Sequence, residues 1–297
     1  MILKQFFNTF SSINNAHVFL QQMELIPIQK ICSKCLKPMK FDCLKEEFRC
    51  NSSVDDKRCN KKESLYTNTI FDRTKLDIRD VLLIIYCWSR SFTNSQTSIE
   101  VECSESTVSF WFSKLRTIAN MHMASFEAVQ IGENDAIVEI DECMIVRRKY
   151  NTGRILVGQQ QWIFGGIVRG TNEVFIEFVP DRKRDTLFEV LRRRVKNNSL
   201  IISDSWRGYL NMETLLNDKN FTHLQVNHSE NFVNPDNGAH TQSIEGLWSV
   251  MKRKLRKHGT NRGNTESTFE KIQEDLYKKK FENDLFNQIF IDMKQFQ

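Results

Sequence analysis

The chain has 297 residues, of which 40% are hydrophobic and 27% are charged, and its formal net charge is +5. This composition is typical of a globular protein with a sizeable core and one or two smaller domains, and it argues against a disordered or fibrous chain. The longest apolar run, Val81 to Trp88, is too short to cross a bilayer, and the N-terminus lacks the pattern of a secretory signal. We therefore expect an intracellular protein.

The basic residues are clustered along the chain. The clusters are Arg147 to Lys149, Arg182 to Arg184, Arg192 to Arg194 and Lys252 to Lys257. Local basic patches indicate a polyanionic partner more strongly than a modest net charge does. A single basic cluster, however, is more often a solvated face of the protein.

The first 64 residues divide into a helical segment and a cysteine-rich segment. Residues 1–28 are apolar enough for one or two short helices, whereas five of the eight cysteines fall between Cys32 and Cys59. In an intracellular protein this clustering favours a metal site over disulfides, because a Cys-x-x-Cys turn and a second pair from a hairpin can surround one tetrahedral zinc ion. For residues 29–64 we predict a zinc ribbon with the ligands Cys32, Cys35, Cys50 and Cys59. Cys43 is an alternative to one member of the widely spaced second pair, and a set of unrelated free thiols is the other interpretation.

Residues 65–128 carry a helical pattern. Apolar residues recur at helical spacing from Leu76 to Trp88 and from Val108 to Ile118, with a further helix predicted over Thr93 to Glu102. Ser104 can cap the third helix. Helix, short turn, helix is the layout that places a recognition helix in the major groove of DNA, although plain helical packing explains the spacing equally well and the turn lacks the usual glycine. The outward side chains of the recognition helix would be Ser106, Thr107, Ser109, Lys114 and Arg116, and contacts with DNA are predicted for all of these except Ser109.

From residue 129 to 264 strands alternate with helices. Strands are predicted over 136–143, 161–169, 173–179, 199–205 and 221–227. Helices are predicted over 184–195 and 208–217 and in the stretch from Gly238 to Lys257. Three strands, a helix, a strand, a helix, a strand and a helix make a mixed α/β domain.

Three acids of this domain come from separate elements. Asp141 ends the first strand, Asp204 ends the fourth, and Glu245 lies near the start of the last helix. If the first and fourth strands are neighbours, the two aspartates face each other with the helix across them. Such carboxylates suit Mg²⁺ or Mn²⁺, and two ions about 3.5–4 Å apart can activate water and stabilise a leaving 3′ oxygen. Glu139 and Glu142 are alternatives to Asp141, and an acid taken singly is usually a strand-end or capping residue.

The stretch from Gly238 to Lys257 predicts an amphipathic helix. Its apolar stripe consists of Ile244, Leu247, Trp248, Met251 and Leu255. Glu245, Lys252 and Arg256 line up beside the stripe, so an anionic polymer on the basic residues would pass close to the carboxylate. Alternatively, Glu245 only complements the helix dipole, which is worth about 0.3–1 kcal/mol. Contacts with DNA are predicted for Lys149, Lys252, Arg253 and Arg256.

Seven short motifs occur in a fixed order along the chain. They are Val-Glu-Ile-Asp-Glu (138–142), Arg-Lys-Tyr-Asn-Thr-Gly-Arg (148–154), Gln-Trp-Ile-Phe-Gly-Gly-Ile (161–167), Ile-Ile-Ser-Asp-Ser-Trp (201–206), Val-Asn-His-Ser (226–229), Asn-Phe-Val-Asn-Pro (231–235) and Gly-Ala-His-Thr-Gln-Ser-Ile-Glu-Gly-Leu-Trp (238–248). Together they resemble the DDE transposases of the Merlin superfamily and the related bacterial insertion-sequence transposases. The resemblance covers residues 29–262, with a zinc-binding segment, a helical segment and a catalytic block in the same order. Gln242 departs from the Asn that is usual in that family.

The resemblance implies a ribonuclease-H-like catalytic domain whose triad is Asp141, Asp204 and Glu245. Lys252 matches the family's basic residue beyond the glutamate. The implied chemistry is metal-dependent hydrolysis at the terminal inverted repeats of a transposon, followed by attack of the freed 3′-hydroxyl on target DNA. The implied cofactors are Mg²⁺ or Mn²⁺ in the active site and a structural Zn²⁺, and the implied partners are double-stranded DNA and further copies of the chain.

Two other functions are compatible with the same residues: a transposase-derived DNA-binding protein that does not cleave, and a resolvase or ribonuclease of the same fold. The expected location is the nucleus in a eukaryotic host and the cytoplasm or nucleoid in a bacterial one. Residues 265–297 have apolar residues at helical spacing, and we expect these helices to pack on the catalytic block or to form a dimer contact.

Overall fold

A computed structural model describes residues 1–54, 57–125, 130–133, 136–144, 162–171, 173–227, 233–234, 238–257 and 265–295. The chain forms two compact units, one made of Met1–His122 with Tyr277–Gln297 and the other of Met123–Leu276. In these described ranges, none of the helices has the length and apolar character needed to span a bilayer.

The elements follow the predicted order. The helices are α1 (Leu3–Thr9), α2 (Ile13–Gln22), α3 (Ile78–Ser89), α4 (Asn94–Glu100), α5 (Glu105–Ser125), α6 (Arg184–Arg194), α7 (Met212–Leu215), α8 (Gln242–Lys257), α9 (Thr265–Lys280) and α10 (Leu285–Gln295). The strands are β1 (Lys40–Asp42), β2 (Glu47–Arg49), β3 (Ser53–Val54), β4 (Lys57–Arg58), β5 (Lys62–Ser64), β6 (Ile137–Met144), β7 (Trp162–Val168), β8 (Val174–Val179), β9 (Leu200–Asp204) and β10 (Thr222–Val226). One helix was predicted over 208–217. The chain instead forms a short 3₁₀ turn, the four-residue helix α7 and a second short 3₁₀ turn.

The cysteine-rich segment contains two small antiparallel sheets. Strands β1, β2 and β5 pair in that order, and β3 pairs separately with β4. The second hairpin lies between Cys50 and Cys59. It returns the chain to its starting point, since the Cys59 N–H donates to the Ser52 carbonyl at 2.8 Å. The wide spacing of the second cysteine pair is therefore the length of an inserted hairpin.

The second unit is built on a five-stranded mixed sheet of order β10-β9-β6-β7-β8. Strands β6, β7 and β8 are antiparallel to their neighbours, whereas β9 runs parallel to β6 and β10 runs parallel to β9. Three consecutive antiparallel strands followed by two parallel ones on the far side of the first is the ribonuclease-H-like arrangement. The prediction that the first and fourth strands of this domain are neighbours is confirmed.

Each face of this sheet has its own apolar core. On one face Val138, Ile140 and Ile201 pack with residues of α6 and α7 such as Leu191 and Met212. On the other face Ile244, Trp248 and Met251 of the predicted stripe are each 4% exposed or less, and the half-buried Leu247 packs against them. The side chain of Leu255, the last member of the stripe, lies outside the described residues. Burying aliphatic and aromatic side chains contributes about 1.5–3 kcal/mol each, so apolar packing is what holds α8 on the sheet.

The last helix does not pack where the sequence predicts. From Tyr277 onward the chain belongs to the first unit, and Phe286 of α10 contacts Phe6, Phe10 and Tyr86 of the amino-terminal helices. The expectation that residues 265–297 as a whole pack on the catalytic block is thus corrected for α10. Apolar spacing shows that a helix has a buried face but does not say which partner covers it.

Candidate active site

Asp141 and Asp204 stand at the same edge of the five-stranded sheet. The parallel register of β6 and β9 pairs Glu139 with Ile202, and each aspartate lies two residues further along its own strand. Since side chains alternate between the faces of a sheet, a step of two keeps both aspartates on the face that Glu139 and Ile202 share. The two carboxylates interact, because the charge of Asp204 contributes to a raised pKa of Asp141.

Asp141 is held by one specific hydrogen bond. The indole Nε1 of Trp248 donates to Oδ2 of Asp141 at 3.0 Å, which links α8 directly to the predicted catalytic acid. Burial, followed by repulsion from Glu142, raises the pKa of Asp141 to about 7. A carboxylate in this position is costly to ionise without a nearby positive charge.

Gly165 explains how the indole reaches the carboxylate. It is paired with Asp141 across β6 and β7, and a Cβ at this position would lie 2.6 Å from Cη2 of Trp248. That distance is well inside van der Waals contact. The first glycine of the Gly165-Gly166 pair is therefore required for the tryptophan ring to occupy this position.

Glu139, which the sequence offered as an alternative to Asp141, is instead bonded to the start of α8. Its side chain is fully buried and accepts hydrogen bonds from the backbone N–H groups of Ser243 at 2.8 Å and Ile244 at 3.2 Å. It also accepts from Oγ of Ser243 and from Nε of Arg169, both at 2.9 Å. Glu139 thus caps the amino terminus of α8 from the neighbouring strand, satisfying N–H groups that have no partner inside the helix. Strand alternation places Glu139 on the face of Asp141, but no local pattern reveals this capping role.

Glu142, the other alternative to Asp141, points to the opposite face. It accepts a hydrogen bond from the Tyr209 hydroxyl at 2.7 Å and lies 3.6 Å from the guanidinium of Arg182. Burial raises the pKa of Glu142. Both alternative acids are thus engaged by protein groups, which leaves Asp141 as the acid of this strand that faces Trp248.

Glu245 lies on the exposed surface of α8, one turn before Trp248. Its Oε1 accepts a hydrogen bond from the hydroxyl of Thr241 at 3.2 Å. Throughout the described part of the chain, only four cysteines bring three or more potential metal ligands within 4.8 Å of one another, so the three predicted acids do not form such a cluster. The triad of Asp141, Asp204 and Glu245 stays a prediction. Gln242 is exposed at the first position of α8.

The two aspartates nevertheless have the chemistry of a cation site. Among the residues whose placement is described, no Lys, Arg or His nitrogen forms a salt bridge with Asp141 or Asp204, whereas Glu139 and Glu142 each have an arginine partner. Two neighbouring carboxylates without a protein cation are a donor set that fits Mg²⁺ or Mn²⁺.

The predicted zinc ligands come together in the first unit. The sulfur atoms of Cys32, Cys35, Cys50 and Cys59 all lie within 4.8 Å of one another, with Sγ distances of 3.6 Å between Cys32 and Cys59 and 3.3 Å between Cys35 and Cys50. A tetrahedral zinc ion with bonds of about 2.3 Å holds its sulfurs about 3.8 Å apart, so the cluster has the size of such a site. The backbone N–H of Ser52 lowers the pKa of Cys50 to about 7, which favours the thiolate that binds metal. Cys43 is exposed and outside the group, so it is not the alternative ligand.

Part of the chain matches known transposase sequences. Residues 133–266 match the model of the ISXO2-like transposase domain, a region that contains all three predicted acids. The chain is also 31% identical over 85 residues to an uncharacterized transposase-like protein of Haemophilus influenzae, a match covering 29% of this chain and 64% of that relative. The chain therefore spans just under two thirds of the length of this relative. These two matches support an insertion-sequence transposase family, whereas neither confirms the Merlin superfamily.

Solved structures of similar shape include an integrase and a transposase. The catalytic core domain of BIV integrase has a TM-score of 0.33 at 12% identity, covering 50% of this chain and 84% of that one. The Mos1 transposase in its paired-end complex with the left transposon end has a TM-score of 0.30 at 13% identity, covering 73% of this chain and 74% of that one. The fold assignment rests on the sheet topology.

The side chains predicted to leave α5 for DNA are largely engaged by the protein. The ammonium of Lys114 donates to the Ile70 carbonyl at 3.0 Å and lies over the rings of Phe110 and Trp111. Burial lowers the pKa of Lys114. Its ammonium contacts the protein itself, and a contact of Lys114 with DNA stays a prediction.

The other predicted contacts of α5 differ in their settings. The hydroxyls of Ser106 and Thr107 both lie 2.8 Å from Oγ of Ser104, which caps the helix as predicted by bonding to the Thr107 N–H. Arg116 is half-buried. Contacts of these residues with DNA stay predictions.

The predicted DNA contacts on α8 and at Lys149 are described only in part. Arg253 is exposed and Lys252 is half-buried on the outer part of the helix. The side chain of Arg256 and the whole of Lys149 lie outside the described residues. DNA contacts by all four stay predictions.

Proposed function

We propose that this protein is a DNA transposase that hydrolyses DNA at the ends of a mobile element and joins the freed 3′-hydroxyl to target DNA. The observation that carries the proposal is the pair Asp141 and Asp204, level on adjacent parallel strands and without a protein cation among the described residues. The match of residues 133–266 to a transposase domain supports the same reaction class.

Asp141, Asp204 and Glu245 would hold the divalent ions. When bound, Mg²⁺ or Mn²⁺ would supply activation of the attacking water and stabilisation of the leaving 3′ oxygen. The protein's own contribution is to keep the acids in place. Trp248 orients the Asp141 carboxylate, the Trp206 N–H donates to Oδ1 of Asp204 at 3.1 Å, and Glu139 holds the start of the helix that carries Glu245.

The first unit would recognise the transposon ends. We propose that a structural zinc ion on Cys32, Cys35, Cys50 and Cys59 stabilises the ribbon, and that α4 and α5 form a helix-turn-helix module for the terminal inverted repeats. Because two ends must be brought together for transposition, we also propose that the protein acts as a homodimer or a higher oligomer.

Asp204→Asn tests the proposed chemistry. The substitution removes a metal ligand but no phosphate contact, so cleavage of DNA carrying the element's ends should fall by several orders of magnitude while end binding stays within about twofold. Metal-dependent cleavage is measured on labelled duplexes with Mg²⁺ or Mn²⁺, and binding is measured by anisotropy without metal.

The matched control is Asp218→Asn, which makes the same change at an exposed aspartate paired with Arg192. It should leave both activities unchanged. A wild-type protein that binds end DNA but never nicks it with either metal would favour the DNA-binding alternative over transposition. Cleavage that needs no particular end sequence would favour a resolvase or ribonuclease.

A further inference from the structure

A cavity of about 680 Å³ opens at the edge of the five-stranded sheet where β8 and β9 end. It is lined by Arg182, Lys183, Arg184, Asp185, Trp206, Arg207 and Gly208. Volumes of this size are typical of small-ligand sites and would accommodate a nucleotide. The lining combines four cationic side chains with one carboxylate, and these cations come from two different connections of the sheet.

The cavity lies at the edge of the sheet that carries Asp141 and Asp204. Strand β8 runs in the same direction as β6, because both are antiparallel to β7. The Arg182–Arg184 segment follows the end of β8 and the Trp206–Gly208 segment follows the end of β9. The wall and the acid share a chain segment, since the Trp206 N–H bonds to the Asp204 carboxylate.

The four basic side chains of the cavity differ in their partners, since Arg182 pairs with Glu142 and Lys183 pairs with Asp181, whereas Arg184 and Arg207 do not form a salt bridge with any described carboxylate. At the far end of α6, Arg192 is paired with Asp218, and both Arg193 and Arg194 are paired with Glu177. The charges of these three arginines are therefore balanced by carboxylates of the protein itself.

In contrast, Arg184 donates to the backbone carbonyls of Gly208 at 3.1 Å and Arg207 at 3.5 Å. Within the described part of the chain, neither Arg184 nor Arg207 has a carboxylate within salt-bridge distance. Arg184 also lies in the first turn of α6, where the helix dipole disfavours a cation. A positive charge kept in an unfavourable place and left without a counter-charge indicates an anionic ligand from outside.

Contacts within the protein hold the side chains of the cavity wall in place. The guanidinium of Arg182 lies between two indoles, 4.8 Å from the ring of Trp162 and 4.9 Å from the ring of Trp206, and it is paired with the buried Glu142. The ring of Trp206 lies against Gly208, where an added Cβ would be 1.8 Å from the indole. A binding site whose side chains are already ordered loses less conformational entropy on binding.

We propose that this cavity binds a phosphate group of the DNA strand that lies along the active edge of the sheet, with Arg184 and Arg207 as the cationic contacts. The identity of the anion as DNA rests on the proposed function, whereas the presence of an anion site rests on the cavity alone. Arg182 orders the wall and is a positioning residue.

The double variant Arg184→Ala/Arg207→Ala tests the site by the salt dependence of DNA binding. A plot of the logarithm of the DNA-binding constant against the logarithm of the salt concentration has a negative slope. Loss of two phosphate contacts should make this slope about 1.8 less steep, since each contact on duplex DNA contributes about 0.9. Arg192→Ala is the matched control, because it removes an arginine from the same helix that is already paired with Asp218. Binding is measured by anisotropy on a labelled duplex without divalent metal, in the full chain.

Arg207→Ala alone keeps the test valid if the double variant does not fold, because the Arg207 side chain is exposed. This single substitution should make the slope about 0.9 less steep. A slope equal to that of the wild type, or a change no larger than that of Arg192→Ala, would overturn the proposal.

Inorganic phosphate distinguishes the source of the anion. If the cavity serves a DNA strand, millimolar phosphate should displace DNA weakly and should not raise the melting temperature of the wild type more than that of Arg207→Ala. A large phosphate-dependent stabilisation confined to the wild type, with an unchanged DNA salt slope, would instead assign the cavity to a free anion and overturn the DNA proposal. Because none of these measurements uses cleavage, a protein that binds in this way but never cuts would refute the proposed transposase activity and leave the phosphate site standing.

Discussion

Among single residues, the candidate site depends on a glycine whose lack of a side chain leaves room for the ring of a tryptophan. Gly165 leaves the space in which Trp248 lies, and the indole then donates to Asp141. The position of the acid is therefore encoded in three residues far apart in the chain.

Gly165→Ala should displace the Trp248 ring and release Asp141. Overpacking of this kind typically costs about 1–3 kcal/mol, so the free energy of unfolding should fall by about that amount, and cleavage activity should fall with it. Urea unfolding followed by tryptophan fluorescence measures the first effect, and nicking of end DNA measures the second.

Gly246→Ala is the matched control on the exposed side of α8. An added Cβ there meets no atom within 4 Å. Alanine is favoured over glycine inside a helix by about 0.5–1 kcal/mol, so this variant should be slightly more stable than the wild type. Equal effects of the two substitutions would contradict the assigned role of Gly165.

Among the helices and strands, α8 is positioned by a carboxylate from another element, because Glu139 of β6 accepts hydrogen bonds from the first N–H groups of the helix. Glu139→Gln keeps the shape of the side chain but removes the charge that accepts from Ser243, Ile244 and Arg169. Hydrogen bonds to a charged group contribute about 1.5–3 kcal/mol, so the free energy of unfolding should fall by at least about that amount. Thermal and urea unfolding measure the change.

The control for this prediction is Glu189→Gln, at a carboxylate that is 74% exposed in its ion pair with Arg193. An exposed pair of this kind is worth about 0–1 kcal/mol, so the effect should be small. A Glu139→Gln variant as stable as this control would mean that α8 is held by its apolar face alone.

The turn between α4 and α5 shows how this chain manages without the usual glycine. Glu102 adopts φ of +53°, in the left-handed region that costs a residue with a side chain about 1–2 kcal/mol. Glu102→Gly should therefore stabilise the first unit by about 1 kcal/mol, measured as a higher melting temperature. Glu102→Ala removes the same carboxylate without relieving the backbone, and a gain of equal size in that variant would show that charge and not backbone strain is responsible.

At the scale of the whole molecule, the two compact units should respond differently to metal removal. If zinc holds the four cysteines, a chelator should abolish the hydrogen-exchange protection of residues 29–64 and leave the five-stranded sheet protected. Cys59→Ser should reproduce the loss, whereas Cys43→Ser should not, because Cys43 lies outside the cluster. Substantially less than one zinc per purified chain would refute the assignment.

The strands and most helices of the second unit were predictable because each is defined by a local pattern. Alternation and short apolar runs depend on neighbouring residues, so the bounds of strands such as β6 and β9 agree closely with prediction. The same holds for the Cys-x-x-Cys turn and for Ser104 as a helix cap. The segment 208–217 was predicted less well, since Asn211 adopts positive φ immediately before α7 and Leu216 leaves the helical conformation immediately after it.

Local patterns in the chain were sufficient to predict the order of elements, the two strand-end aspartates, the apolar stripe of α8 and the set of four cysteines. Four further features became visible only in the packed molecule: Glu139 caps α8, Lys114 donates to a carbonyl of the protein, α10 joins the amino-terminal helices, and four cations line a cavity where β8 and β9 end. The reason is physical. Periodicity records which side of an element is buried, whereas a hydrogen bond between residues 139 and 243 or an ion pair left unmade at Arg184 depends on distances that exist only once the strands and helices are packed together.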